Sequence, residues 1–391
     1  MSSVPLEMAK RLILKKQMLS QQTTNGSKQV VQAVGKLCGV QYDPLPVVEQ
    51  AHYLTLWNRI GNFKKDFLDE ALYDKRELIE FVLMRQTLNI VPVEELPYYY
   101  QAVQCVFRKG WIQEAIDKLS QQDAQEIVDK IKSQGRVSLK DFSYPKLRAL
   151  FYAGKTAIAR REPGIFRMPY YCLFGGLHPG LDLQSVDEEA ARNWLVQRVV
   201  SAFGIASTSH VGYWTGYRTK ETESILNQLE TQRVVRKVKV DGLKSFQWVT
   251  DEDFALIEKL EEEKNVALLS PMDNLIRDRK WLSNVFGYSF SIEYFQKKKM
   301  RWQISILYGT NFLGFIDAKM DRRHGMLMIK ELYVHRKGEK EDWMSAAKRI
   351  IDFAVFHNAT GITLGEGCPK WFVDLFGKLG YECKSNLVMI A

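Results

Sequence analysis

The stretch Val235-Arg236-Lys237-Val238-Lys239-Val240-Asp241-Gly242-Leu243-Lys244-Ser245-Phe246-Gln247-Trp248 decides how this chain folds. Val238 and Val240 alternate with Lys237 and Lys239, so an extended segment here has one apolar face and one basic face. Asp241-Gly242 is the strongest short hairpin signal, and Phe246 and Trp248 return on the second strand. Three helical patterns lead into it. Residues 187–203 hold Ala191, Trp194, Leu195, Val199 and Ala202 at helical spacing. Residues 210–217 read as a shorter helix. Thr219 is placed to cap a third, with Ile225, Leu226 and Leu229 inward.

The same order occurs twice upstream. Residues 6–21, 27–37 and 44–60 read as helices, the last opened by Asp43-Pro44 and stopped by Gly61-Asn62. Strands follow at 77–83 and 87–91. The second copy has helices at 111–119, 123–131 and 145–152 and a short extended piece at 136–139. Its strands, 155–160 and 165–170, flank Arg161-Glu162-Pro163-Gly164. Helix–helix–helix–hairpin is the outline of a winged helix-turn-helix, whose DNA-binding form sets one helix in a groove and the hairpin on phosphates. From residue 264 the character changes. Strands at 266–269, 301–307, 312–319, 326–335 and 361–364 mix with helices at 273–286, 343–357 and 369–379, and Gly365-Glu366-Gly367 reads as a turn. The fold expected is therefore α+β. Three tandem winged helix-turn-helix units (1–98, 99–180 and 181–263) precede a C-terminal β-rich α+β domain (264–391).

A chain of 391 residues is too long for one ordinary core. Its 46% apolar content fills cores, and no run approaches the roughly 18 apolar residues of a membrane span. The first residues carry Lys and Arg within their apolar part, unlike a secretory signal. Five widely spaced cysteines without a CxxC indicate neither a disulfide framework nor a zinc site, which fits a reducing, cytoplasmic compartment. Lys and Arg number 55 against 46 acids, a formal charge of +9 that suits a polyanion. Candidate phosphate contacts are Lys155, Arg160, Arg161 and Arg167 on the second hairpin and Arg236, Lys237, Lys239 and Lys244 on the third. Arg85, between the first two strands, and Arg322 and Arg323, in a C-terminal loop beyond Lys297-Lys298-Lys299, extend the set. A lysine-rich hairpin face also serves simply to solvate and protect a sheet edge.

One amide and one carboxylate stand out. In Gly39-Val40-Gln41-Tyr42-Asp43-Pro44, Gln41 and Asp43 are two residues apart, so an extended backbone points both to one side and Tyr42 to the other. Such a pair is able to hold one water. Asp before Pro is also an ordinary helix cap.

Three stretches resemble the AlkZ/YcaQ-like winged-helix DNA glycosylases, which unhook crosslinks. The first is Gly39-Val40-Gln41-Tyr42-Asp43 with the helix behind it through Trp57, Arg59 and Gly61. The second is Phe203-Gly204-Ile205-Ala206-Ser207-Thr208, with Trp214 and Gly216. The third runs from Leu268-Leu269-Ser270-Pro271-Met272-Asp273 to Asp278-Arg279, then Phe286-Gly287-Tyr288 and Ile292-Glu293. The resemblance implies a C-shaped, monomeric clamp on double-stranded DNA, acting at the nucleoid. It implies monofunctional excision of alkylated purines, including interstrand crosslinks, with no metal or cofactor. It carries the catalytic roles to Gln41 and Asp43, and leaves His52, Trp57, Thr87 and Asn89 as supports behind them. Asn89 stands where many relatives have histidine, and His210 where many have an acid. The competing reading is a winged-helix transcriptional regulator, which needs the basic hairpins but no Gln-x-Asp.

Overall fold

The computed structural model describes residues 3–20, 26, 28–164, 167–291, 301–384 and 386–390. Helices and four sheets alternate along it. In the first sheet Val40–Gln41 pairs antiparallel with Leu88–Pro92, which pairs with Leu78–Val82, and Gln41 lies opposite Asn89. The helix behind Gln41 is shorter than expected. It spans Ala51–Trp57, capped by the Gln50 backbone, rather than starting at Pro44. Pro46 disfavours helical backbone at Leu45. Asp43 closes a local turn instead of capping: its Oδ1 accepts the Leu45 N–H at 3.1 Å.

Helix Leu96–Phe107 is absent from the sequence reading, because Tyr98-Tyr99-Tyr100 resembles a strand run. Leu96, Tyr99, Val103 and Phe107 are nevertheless buried at helical spacing. Helices Trp111–Asp117, Gln121–Gln134 and Tyr144–Tyr152 precede the second hairpin, Thr156–Arg161 with Pro169–Leu173. Its return strand starts later than expected, and residues 165–166 lie outside the described set.

Asp187 caps helix Glu188–Phe203 by accepting from the Glu189 and Ala190 N–H groups. Helices Thr208–Thr215 and Thr219–Thr231 follow, with Arg218 rather than Thr219 at the cap position. The hairpin forms with Val238 and Val240 buried on one face, but its return strand is Gln247–Thr250, so Phe246 lies in the connecting loop, exposed, and only Trp248 is on the strand. Its sheet has four strands in the order Ser3–Val4, Val235–Val240, Gln247–Thr250, Ala206–Ser207. Ser3–Val4 pairs parallel with Lys239–Val240, so the division at residue 98 is crossed by the packing. Helix Leu6–Lys16 follows that strand. Its C-terminal neighbour Gln17 donates from Nε2 to the Ala202 carbonyl at 2.8 Å.

The C-terminal sheet has seven strands in the order Val266–Leu269, Gln303–Tyr308, Asn311–Asp321, Met326–Val334, Gly361–Gly367, Leu387–Met389, Cys383–Lys384. Met326–Val334 and Gly361–Gly367 are parallel, joined through helix Lys340–Phe356 as a parallel pair requires. Gly365 is therefore in a strand and not a turn. A Cβ there would sit 2.6 Å from the Lys330 carbonyl oxygen. The helical stretch at 273–286 divides at Asp278 into Asn274–Arg277 and Arg279–Phe286. Ile292-Glu293 and Lys297-Lys298-Lys299 lie outside the described residues. No described helix is long and apolar enough to cross a membrane, and all five cysteines are unpaired.

The C-terminal sheet is bound to the first unit through buried polar contacts. Arg59 donates from Nη1 and Nη2 to the two Asp273 carboxylate oxygens at 2.7 and 2.9 Å. Both side chains are 0% exposed. Arg59 also donates to the Gln17 and Thr55 carbonyls, each at 2.8 Å. Asn58 reads the edge of strand Val266–Leu269 by donating to the Leu268 carbonyl and accepting its N–H. Asn274 donates to the Leu37 and Gly39 carbonyls, both at 2.9 Å, and so fixes the backbone just before Gln41.

Removing one member of such a buried pair strands the other charge. Arg59→Leu is expected to lower the unfolding free energy by about 3–5 kcal/mol in a urea titration, with much of it regained in the Arg59→Met, Asp273→Leu double variant. A single variant as stable as the parent would show that the pair holds nothing together.

Candidate active site

Gln41 ends its strand on the wall of a cleft of about 670 Å³. Tyr42, Pro44, Gln86, Thr87 and Leu88 share that wall. The opposite wall comes from the second unit, from helix Tyr144–Tyr152 and the strand beginning at Pro169. Tyr144, Arg148, Phe151 and Tyr152 fall on one face of that helix by their spacing. The Arg148 guanidinium lies 4.6 Å from the Tyr144 ring centre and 5.0 Å from that of Tyr152. Aromatic rings with an arginine between them are what unpaired nucleobases bind. These residues were not singled out in the sequence. The signal that would have found them is the Tyr–Arg–Tyr repeat at every fourth position.

Gln41 and Asp43 are neighbours, but only Gln41 lines the cleft. The strand stops at Gln41, so the alternation expected of an extended segment does not continue. Asp43 lies one layer behind, 4% exposed, and its Oδ2 has no hydrogen-bond partner. Burial pushes its carboxyl up to about 6, against a smaller opposing pull from the Leu45 N–H. Tyr42 is buried, as expected, yet its ring still borders the cleft.

His52 supports this turn directly. Its Nδ1 accepts the Asp43 N–H at 3.4 Å, and its ring stacks on Tyr42 at 4.4 Å. Full burial, with Arg161 and Arg167 nearby, holds the imidazole well below its ordinary value and therefore neutral. Accepting at Nδ1 leaves the proton on Nε2. Asn89, opposite Gln41, donates to the Thr87 carbonyl at 2.7 Å and to that of Met84 at 3.3 Å. It braces a turn in which Arg85 (φ 58°) and Gln86 (φ 54°) are both left-handed, a conformation unfavourable for residues with a Cβ. Trp57 faces the C-terminal domain. It lies under the Arg349 guanidinium at 3.6 Å and against Phe353 and Phe356, where it docks the C-terminal helix.

The basic residues divide by geometry. Arg161 lines the cleft and is buried in a pair with Glu80 at 2.6 Å, with its guanidinium 4.0 Å from the Tyr42 ring centre. Burying a charge demands such a partner. Arg167 is committed to Asp69 at 2.6 Å, Arg236 to Asp251 at 2.7 Å, and Arg160 to Asp74. Arg322 donates to the Val48 carbonyl at 2.7 Å. Lys237 lies over the Trp248 ring at 4.7 Å. Arg85, Lys155, Lys239, Lys244 and Arg323 are exposed and make no ion pair among the described residues. No described cluster of three or more His, Cys, Asp or Glu side chains is disposed to hold a metal.

A basic chain and an aromatic cleft, with Gln41 on its wall and Asp43 behind it, suit an enzyme that handles nucleobases. The class is DNA repair glycosylase. The chain belongs to the DNA glycosylase AlkZ-like family, whose model matches residues 34–353. Its fold is similar to that of Streptomyces sahachiroi DNA glycosylase AlkZ, with a TM-score of 0.61 over 91% of this chain and 97% of that one, at 13% identity.

The position of Asp43 has a measurable consequence. Its carboxyl titrates near 4 when unfolded and at about 6 when folded, so its charge opposes folding. The penalty grows as pH rises from 4 to 6 and is complete above 6, reaching about 3 kcal/mol. Asp43→Asn is expected to melt higher than the parent at pH 8 and much the same at pH 4. Equal melting temperatures at pH 8 would show that burial exacts nothing from this group.

Proposed function

We propose that this protein excises alkylated purines from double-stranded DNA, including those that join two strands, by hydrolysing the N-glycosidic bond. The helix–hairpin units at 1–98, 99–180 and 181–263 act as tandem winged helices. With the 264–391 domain they form a C-shaped clamp of one chain around the duplex. The observation that carries the chemistry is Gln41 on the cleft wall beside Asp43, whose buried Oδ2 has no partner. A purine alkylated at N7 or N3 is already cationic and leaves without a general acid, so one demand of glycoside hydrolysis disappears. The remaining demands are a placed water and stabilisation of positive charge at the sugar C1′. The Gln41 amide holds the water by hydrogen bonds. The water oxygen attacks C1′, the bonding pair leaves with the base, and one water proton passes to Asp43 directly behind the Gln41 wall. The products are free base and an abasic sugar. No lysine lines the cleft among the described residues, which supports hydrolysis over attack by a protein amine.

The experiment is release of free base from 7-methylguanine DNA. Asp43→Asn is expected to lower the rate by about 10²–10⁴-fold, the ordinary range for a positioned acid–base group. The parent rate is expected to rise with pH through about 6 and then level off, as Asp43 loses its proton. Full activity of Asp43→Asn removes Asp43 from the mechanism. Tight binding of one sequence with no base released favours a regulator. DNA carrying a nitrogen-mustard crosslink, resolved on a denaturing gel, tests the crosslink reading.

A further inference from the structure

A second pocket, of about 370 Å³, lies on the other side of the Met84–Gln86 turn from the cleft. Arg85, Arg277, Arg279 and Lys280 line it, together with Ser209 and Tyr213. Arg277 is unusual among these. It is 6% exposed, forms no ion pair among the described residues, and its Nη1 has no hydrogen-bond partner. Its neighbours are the Trp214 ring at 4.6 Å, the Thr87 hydroxyl, to which Nη2 donates at 3.4 Å, and Tyr213, whose hydroxyl donates to the Arg277 carbonyl at 2.7 Å and whose side chain partly offsets the effect of burial on the guanidinium. Burial pulls the guanidinium down to about 10, and Arg85 adds to that pull. The one acid at the pocket, Asp278, is occupied elsewhere. Its Oδ2 meets His210 Nδ1 at 2.8 Å and its Oδ1 accepts the Trp281 N–H at 3.1 Å. Arg85 is held over the Tyr213 ring at 3.8 Å and exposed to solvent.

A buried arginine without a counter-charge is costly, and natural proteins pair such groups. Four cations converging on one pocket supply what a dianion or phosphodiester lacks. We propose that this pocket seats one backbone phosphate of the duplex beside the nucleotide that enters the cleft, with Arg277 as its buried contact and Arg85, Arg279 and Lys280 around the rim. The proposal rests on DNA being the substrate. The Arg277 bond to Thr87 gives the phosphate a route to the cleft. Thr87 lines the cleft, and Asn89 ties Thr87 to the strand opposite Gln41. An occupied pocket therefore holds the turn that carries Gln86 and Thr87. Arg277 is a binding and positioning residue and takes no part in bond breaking.

The test is the affinity of undamaged duplex by fluorescence anisotropy over a range of salt, for the parent and Arg277→Met. The expected result is weaker binding with a salt slope shallower by about one. Without DNA, Arg277→Met is expected to melt no lower than the parent, because an unpaired buried charge has been replaced by an apolar chain. A lower melting temperature with an unchanged slope means that Arg277 is structural and overturns the proposal. Should Arg277→Met fail to fold, the exposed pair Arg279→Gln and Lys280→Gln carries the same slope comparison. A melting scan in inorganic phosphate against chloride at equal ionic strength forms the second arm. Stabilisation by phosphate in the parent alone, with no change in duplex slope, assigns the pocket to a free anion and overturns the DNA assignment. A shallower slope in a protein that releases no base sinks the excision reading and leaves the phosphate site standing.

Discussion

The bidentate contact between Arg59 and Asp273 is the constraint on which the remaining arrangement depends. It joins residues 214 positions apart, with both side chains fully buried. Two charges so enclosed attract strongly, but desolvation offsets much of that gain. What the pair supplies is a fixed register. Beside the pair, the next residue, Asn274, donates to the Leu37 and Gly39 carbonyls and anchors from behind the short strand bearing Gln41. The same Asp273 accepts the Leu275 N–H and starts the turn leading to Arg277 and Asp278. One carboxylate thus coordinates the backbone at the cleft and the basic pocket beyond it.

The site built on this anchor is placed against stability. Asp43 is buried without a cation and with one oxygen unpartnered. Arg277 is buried without an anion. Arg85 and Gln86 hold left-handed backbone between them. Each feature opposes folding by itself and persists because the surrounding packing determines it. Elsewhere the chain avoids such arrangements: Arg161 has Glu80, and Arg59 has Asp273. The contrast is itself a marker of where chemistry occurs.

Much of the fold was legible because it rests on local chemistry. The alternation of Val238 and Val240 with lysines, the Asp241-Gly242 turn and the helix over 187–203 appear where the residues indicate. Features set by distant contacts were not. Helix Leu96–Phe107 contains three consecutive tyrosines, and Tyr99 packs edge-on to Trp194 at 4.8 Å, a contact invisible locally. The expected helix at Pro44 gave way to a turn, since Pro46 and the Asp43–Leu45 bond act together. At the site, the spacing put Gln41 and Asp43 on one side, but Gln41 lies on the cleft wall and Asp43 behind it, because the strand ends at Gln41. Arg160, Arg161 and Arg167 looked alike as charges. Only the fold reveals Asp74, Glu80 and Asp69 beside them.

The parallel pairing of Ser3–Val4 with Lys239–Val240 bears on how the chain is made. Ser3 and Asp241 are linked by their side chains at 2.6 Å, although 238 positions separate them. At about 5–20 residues per second, a ribosome needs on the order of tens of seconds to deliver the second partner after the first. Until residue 240 is made the leading strand has an open edge, and until residue 202 is made Gln17, at the end of helix Leu6–Lys16, has no Ala202 carbonyl to bond. Assembly of the third sheet is thus tied to late synthesis. Slowing translation within residues 4–240 extends the time during which that edge is open to chaperones or to another nascent chain.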